Sequence, residues 1–174
     1  MTDLTTLEAV KAYAGVTVDT DDAVLAALIT GYSDLICAYT GRDFTLQTYL
    51  RRFDGRNNDR LVLPQTPIVG VASVTIDRQA VPSDAFYFDD TSIILDGYRF
   101  TRGNGNVQVG WTAGYVTVPA AVVQATNEMV ALRYALRDHQ GWSSKSLAGE
   151  TVSFITKAMP DSAKVALDQY RVVI

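Results

Sequence analysis

Apolar positions along the chain follow two different periods. Across residues 5–14, Leu7, Val10 and Ala14 lie on one face at three- and four-residue spacing, and Gly15 ends the run. Thr5, with Glu8 three residues later, has the capping-box spacing, in which each side chain satisfies a free backbone N–H at the other's position. The strongest helical signal follows in "DTDDAVLAALITGYSDLICAYTG". There Val24, Leu25, Leu28, Ile29, Tyr32, Leu35, Ile36 and Tyr39 recur at helical spacing. Asp19, Asp21 and Asp22 supply caps and negative charge at the positive end of the helix dipole, and Gly41 is the expected left-handed stop.

From residue 44 to residue 115 the period shortens. "FTLQTYLRRF", "RLVLP", "GVASVTID", "AFYFD", "TSIILD" and "GNVQVGW" are short and rich in β-branched or aromatic residues. Gly, Pro, Asn and Asp separate them, and "DGRNND" and "RGNGN" carry tight-turn chemistry. This predicts roughly six strands. Pro119 then opens a third helix, "PAAVVQATNEMVALRYALRDHQ", with Val122, Val123, Met129, Val130, Leu132 and Leu136 on its apolar faces and Gly141 closing it. A short fourth helix, "DSAKVALDQYR", follows Pro160.

The order helix, helix, strands, helix, loop, helix predicts one α+β domain over residues 1–174. Its fold is a bundle of about four helices, interrupted between the second and third by a compact antiparallel sheet or small barrel. The N-terminal helices take residues 1–43, the β-rich insertion 44–118, and the C-terminal helices 119–174 with an extended arm at 142–158. No repeat or low-complexity linker divides the chain.

Composition narrows the function classes. With 174 residues, 48% of them hydrophobic, the chain buries a core without a metal or disulfide staple. Cys37 is the only cysteine, so no intrachain disulfide forms and a reducing compartment is expected. An acid in "MTDLTTLEAV" stands where a signal peptide would be basic, and no apolar run is expected to approach the ~18 residues of a membrane span. A soluble protein made in a cytoplasm is expected. The net charge of −4 is uneven: residues 1–43 hold seven acids against Lys11 and Arg42, an excess of five negative charges. Such a surface repels DNA rather than gripping it, since tight binding to phosphate needs clustered Lys and Arg.

Catalytic chemistry is thin. Cys37 sits on the apolar stripe of the second helix, as a structural cysteine does, and His139 suits the negative end of the third helix dipole. One His and one Cys make no zinc site, and "DTDD" lacks the glycine and bidentate Glu of a calcium loop. "GWSSKS" ends like a phosphate loop without its glycine frame, and Ser144 with Lys145 is too common a pair to indicate a dyad. No catalytic residue, cofactor site or metal site is expected. Arg51, Arg52, Arg56 and Arg60 form the one basic cluster, interleaved with Asp54 and Asp59. They read either as a solvated hairpin or as a charged contact with a neighbouring subunit.

Residues 142–158 form a long stretch for a compact domain, and loops of that length are usually functional or disordered. Apolar residues punctuate it, and "ETVSFIT" alternates like a strand lacking a partner. This suits an arm that orders on a neighbouring surface. Its candidate contacts are Trp142, Lys145, Leu147, Glu150, Val152, Phe154 and Ile155. Val172, Val173 and Ile174 are a bare apolar end that frays unless held, and they are expected either to tuck into the subunit's own core or to dock on a partner.

Several stretches in order carry a resemblance: "LTTLEAVKAYAGV", "DTDDAVLAALITGYSDLICAYTGRDF", "LVLPQTPIVGVASVTID", "VQVGWTAGYVTVPAAVVQATNEMVALRYALRD" and "SLAGETVSF". Together they span nearly the whole chain, which resembles the head–tail connector proteins, or head-completion adaptors, of long-tailed bacteriophages, prophages and gene-transfer agents. The resemblance implies a structural virion protein, not an enzyme. It would form a ring, commonly dodecameric, docked beneath the portal, extending the DNA channel and meeting a stopper or tail component. It implies synthesis in the host bacterial cytoplasm, residence in the virion neck, and DNA passing through without sequence-specific binding. Asp3, Glu8, Asp19, Asp21, Asp22 and Asp34 are then candidates for an acidic channel wall, and residues 142–158 for the inter-subunit or portal arm. The alternatives are a stopper or tail-completion ring protein, or a small enzyme using residues 142–158 as a lid.

Overall fold

The computed structural model describes residues 2–137, 144–147, 150–153 and 159–172. The fold is α+β, with four helices and antiparallel sheets. In chain order the elements are α1 (Leu7–Ala14), α2 (Asp22–Thr40), β1 (Gln47–Gly55), β2 (Arg60–Val62), β3 (Ile68–Ile76), β4 (Gln79–Ala80), β5 (Phe86–Phe88), β6 (Ser92–Leu95) and β7 (Gly103–Ala113). There follow α3 (Ala120–Ala135), β8 (Ser144–Leu147), β9 (Glu150–Ser153) and α4 (Asp161–Asp168). These elements belong to two compact units, one from Met1–Gly41 and Val118–Val173, the other from Arg42–Thr117.

In the helical unit the cap of α1 is Thr6, whose Oγ1 accepts from the Ala9 N–H at 3.2 Å. The expected Thr5–Glu8 capping box does not form, because the Thr5 hydroxyl is buried and donates to Asn127 Oδ1 at 2.6 Å. Gly15 and Gly41 end α1 and α2 at φ 68°, the left-handed geometry the pattern called for. Val10, Leu25, Ile29, Val130 and Tyr134 form the core where α1, α2 and α3 meet, with Leu7, Val16, Leu28 and Tyr32 packed around it. The buried line of α2 is Leu25, Ile29, Ser33, Ile36, Cys37 and Thr40. Its polar members are satisfied: Ser33 Oγ accepts from the Leu4 N–H at 3.0 Å, and Thr40 Oγ1 donates to the Ile36 carbonyl at 2.8 Å. By length and average composition α2 is apolar enough to cross a membrane, contrary to the expectation that no run approaches a span; Ser33 and Asp34 interrupt it in sequence.

The β unit holds seven strands rather than six, divided between a sheet of order β1-β7-β3-β4 and one of order β2-β6-β5. The strand missed in the sequence is β4, only two residues long, which returns from β3 through Asp77 and Arg78. One face of the larger sheet and the smaller sheet share a core that includes Ile76, Ile93, Leu95, Phe100, Val107, Val109 and Trp111. Trp111 is fully buried, stacks on Tyr49 at 5.2 Å between ring centres, and donates Nε1–H to the Gln65 carbonyl at 3.2 Å. Gly55 permits the closest backbone approach, since a Cβ there would lie 1.8 Å from the Thr101 carbonyl oxygen.

The expected unpartnered strand in "ETVSFIT" is corrected by the structure. Glu150–Ser153 pairs antiparallel with Ser144–Leu147, so Lys145 lies opposite Val152 and Leu147 opposite Glu150. Both strands keep a free outer edge among the described residues.

Candidate functional site

Three of the six acidic candidates are engaged within the helical unit. Lys11 Nζ lies 2.6 Å from Asp19 Oδ1 and 2.7 Å from Asp22 Oδ1, joining the end of α1 to the start of α2. The hydrogen bonds it donates to Asp19 and then Asp22 hold the Lys11 ammonium above its ordinary range, and the contact with Asp19 lowers that carboxyl. Asp21 accepts the Tyr134 hydroxyl at 2.5 Å and stands 3.7 Å from the Arg137 guanidinium, which lies 4.0 Å over the Tyr134 ring. Asp21 therefore occupies the cap position of α2 without capping it. Asp3, Glu8 and Asp34 are exposed, and their carboxylates take no hydrogen bond or ion pair among the described residues.

The face of α2 opposite its buried line is apolar and open. Val24, Ala27, Gly31 and Leu35 follow one another at three- and four-residue spacing, and all four are exposed. Val24 keeps 48% of its surface, and a Cβ on Gly31 would meet nothing within 4 Å. The sequence pattern counted Val24 and Leu35 among the buried stripe. The helix instead turns its Ser33 and Thr40 line inward.

Of the arm candidates, Lys145, Leu147, Glu150 and Val152 lie on the β8–β9 hairpin. Trp142, Phe154 and Ile155 lie outside the described residues, as do His139, Val173 and Ile174. Val172 is placed: its N–H donates to the Thr40 carbonyl at 2.9 Å, tying the C-terminal segment to the last turn of α2. Cys37 is buried on α2, 8% exposed.

The β unit contains eight arginines and no lysine. Two clefts of about 460 and 490 Å³ share Arg52 as a common wall. The first is lined by Arg52, Arg78, Asp77, Thr75, Asn104, Gly105, Asn106 and Gln108. The second brings Arg52 together with Arg56 and Arg60, beside Asp54, Phe53 and Val62. Arg60 is paired with Asp89 at 2.6 Å, and Arg51, outside both clefts, lies 5.7 Å from the Tyr49 ring. Arg52, Arg56 and Arg78 make no hydrogen bond or ion pair among the described residues. The acids of the clefts are bonded to groups other than these arginines: Asp54 accepts from the Gly105 N–H at 2.6 Å, while Asp77 accepts from Thr101 Oγ1 at 2.5 Å and Asn106 Nδ2 at 3.1 Å. Sequence reasoning found Arg52, Arg56 and Arg60 but missed Arg78, which only the strand order brings to the cleft that Arg52 lines. No group of three or more metal-ligating side chains occurs among the described residues.

The chain is similar in fold to a chain from the neck of an empty gene transfer agent particle computed with C6 symmetry, with a TM-score of 0.64 and 18% identity, covering 100% of this chain and 94% of that one. It is similar to a chain of the virion of a native gene transfer agent particle, with a TM-score of 0.63 and 18% identity over 99% and 95% of the two chains. A third match, to the neck of a native particle computed with C12 symmetry, has a TM-score of 0.58, 18% identity and the same coverage as the second. No curated protein sequence matches. The family model for "Head completion protein" matches residues 3–173, nearly every residue of the chain, and the chain therefore belongs to the head completion protein family.

Proposed function

We propose that this chain is a structural protein of the virion neck, where copies close into a ring beneath the portal, extend the DNA channel and join the filled head to a stopper or tail. The observation that carries the ring is the open face of α2. A helix exposing Val24, Ala27, Gly31 and Leu35 in one line has small residues that allow close approach and apolar ones worth burying, at roughly 1.5–3 kcal/mol for each large side chain. Ring closure uses two different faces of each subunit, so this face meets a non-identical surface on the next copy. The neck particles that the fold resembles were computed with sixfold and twelvefold symmetry, which supports a cyclic assembly.

The β8–β9 hairpin is the second contact. A two-stranded hairpin is marginal alone, and strand addition along its free edge supplies what it lacks. Lys145, Leu147, Glu150 and Val152, with Trp142, Phe154 and Ile155 beside them in sequence, form the inter-subunit or portal arm. Val172, Val173 and Ile174 add an apolar docking end, anchored at Val172 by the Thr40 bond. Asp3, Glu8 and Asp34 give the lumen its free negative charge, while Asp19, Asp21 and Asp22 are partly neutralised by Lys11 and Arg137. DNA slides past such a wall without being held.

Electron cryo-microscopy of the intact particle tests this reading. The expected result is a closed ring of this chain between portal and tail. A single copy at the vertex, or none, overturns it. A ring separated from the portal by another protein moves the assignment from connector to stopper.

A further inference from the structure

The arginine clefts of the β unit have no part in the contacts proposed for the ring, and their chemistry is specific. Guanidinium groups present rigid forks of donors to phosphate or carboxylate, and this unit carries eight of them with no lysine. Arg52, Arg56 and Arg78 have no hydrogen-bond or ion-pair partner among the described residues. The nearby Asp54 and Asp77 are turned to the Gly105 amide, Thr101 and Asn106, so they do not quench the arginines by direct pairing.

The setting of Arg78 is the second observation. Asp77 and Arg78 are the two central residues of the β3–β4 turn, at φ 50° and 69°. That pattern favours Asn-Gly or Asp-Gly, because both positions are left-handed. An arginine in the second position carries a steric cost that glycine would remove. The turn nevertheless places Arg78 on the cleft that Arg52 walls from β1. Register explains the meeting: Arg52 lies opposite Gln108 on the central strand, and Gln108 lies opposite Thr75 on β3.

We infer that the Arg52–Arg78 cleft, flanked by Arg56, binds the sugar–phosphate backbone of DNA without reading its sequence. Apart from Asp77, whose carboxylate accepts from Thr101 and Asn106, its lining side chains are of the kinds that contact phosphates, namely Arg, Thr, Asn and Gln. No apolar side chain among the described residues lines this cleft, so it lacks the anchor that a protein partner would bury. Three guanidiniums make a weak, salt-sensitive hold, compatible with a molecule that must still move. The inference rests on the neck reading only for the presence of DNA.

The test uses the purified full-length chain and a short fluorescein-labelled DNA duplex, titrated by anisotropy in about 25–200 mM salt. Wild type should bind at the low end, equally for unrelated sequences, with a log–log salt slope of about −3 for three phosphate contacts. Arg52→Gln with Arg78→Gln should make that slope shallower by about two and weaken binding to every sequence alike. Lys164→Gln, in the helical unit, should change neither. If the double variant melts below wild type, the single Arg52→Gln, expected to reduce the slope by about one, replaces it. Absence of duplex binding at low salt overturns the inference, as does a double variant that binds like wild type. So does low-salt self-association, without DNA binding, that the same substitutions abolish, since it assigns the arginines to a protein contact. The free chain needs no particle here, so failure leaves the ring standing, and a particle without a ring leaves this assay unaffected.

Discussion

The Thr5 hydroxyl donates to the Asn127 side-chain oxygen across 2.6 Å, although 122 residues separate the two and both are more than nine-tenths buried. This bond ties the segment before α1 to the middle of α3. Replacing one partner strands the other in a dry site. Thr5→Val should therefore cost about 1–3 kcal/mol of unfolding free energy. Thr5→Val combined with Asn127→Leu should cost less than the sum of the two single changes, a coupling that chemical denaturation of all four proteins would reveal. Strict additivity would show that the bond adds nothing.

Arg78 offers a trade between stability and binding. Arg78→Gly relieves a left-handed arginine and should stabilise the chain by roughly 1 kcal/mol, raising the melting temperature by about 2–4 °C. The same substitution should make the DNA salt slope shallower by about one. A variant that gains no stability would mean the turn holds arginine without strain.

Acid should loosen the β unit from a particular corner. The Asp89 carboxylate accepts from the Thr91 N–H at 2.9 Å, from both Oγ and N–H of Ser92, and from Thr91 Oγ1, and these bonds hold it far below its ordinary value of 3.8. Thr101 and then Asn106 lower Asp77 in the same direction. A depressed carboxyl stabilises the fold fully above its unfolded value, and this contribution fades as pH falls below 3.8 through the folded one. Asp89→Asn should lower stability at neutral pH and flatten its decline below pH 3.8. Equal declines in wild type and variant would remove Asp89 from the account.

The C-terminal end separates core from docking. Because Val172 is bonded to Thr40, the informative truncation removes only Val173 and Ile174. The shortened chain should melt like wild type, while particles built with it fail to retain DNA or to join tails. A melting temperature several degrees lower would place those residues in the subunit's own core.

Much of the secondary structure was legible because period and punctuation agree: Gly15, Gly41 and Pro119 mark ends that the fold respects. The capping box misled because two threonines adjoin, and only the buried Asn127 decides which of them turns inward. Strand β4 carried no signal, being two residues behind a turn without glycine. The buried face of α2 was misread because hydropathy cannot know that Ser33 and Thr40 find backbone partners, which leaves Val24 and Leu35 outside. For the same reason the arginine cleft was half visible. Arg52, Arg56 and Arg60 are close in sequence, whereas Arg78 reaches the cleft of Arg52 only through the register of β1, β7 and β3.

That register also sets a timetable. The central strand of the larger sheet, β7, is the last of its strands to be synthesised, and β1 and β3 both pair with it. The helical unit has a similar dependence, since α3 packs on both α1 and α2. Between Gly55 and Gly103 the ribosome needs about 2–10 s at roughly 5–20 residues per second. Throughout that interval the nascent β1 has no strand to pair with in this sheet, and Trp111, the aromatic centre of its core, has not been made. A chain released before residue 103 would lack the middle of one unit and the shared wall of the other. Pairing of β1 and β3 in the larger sheet therefore waits for β7.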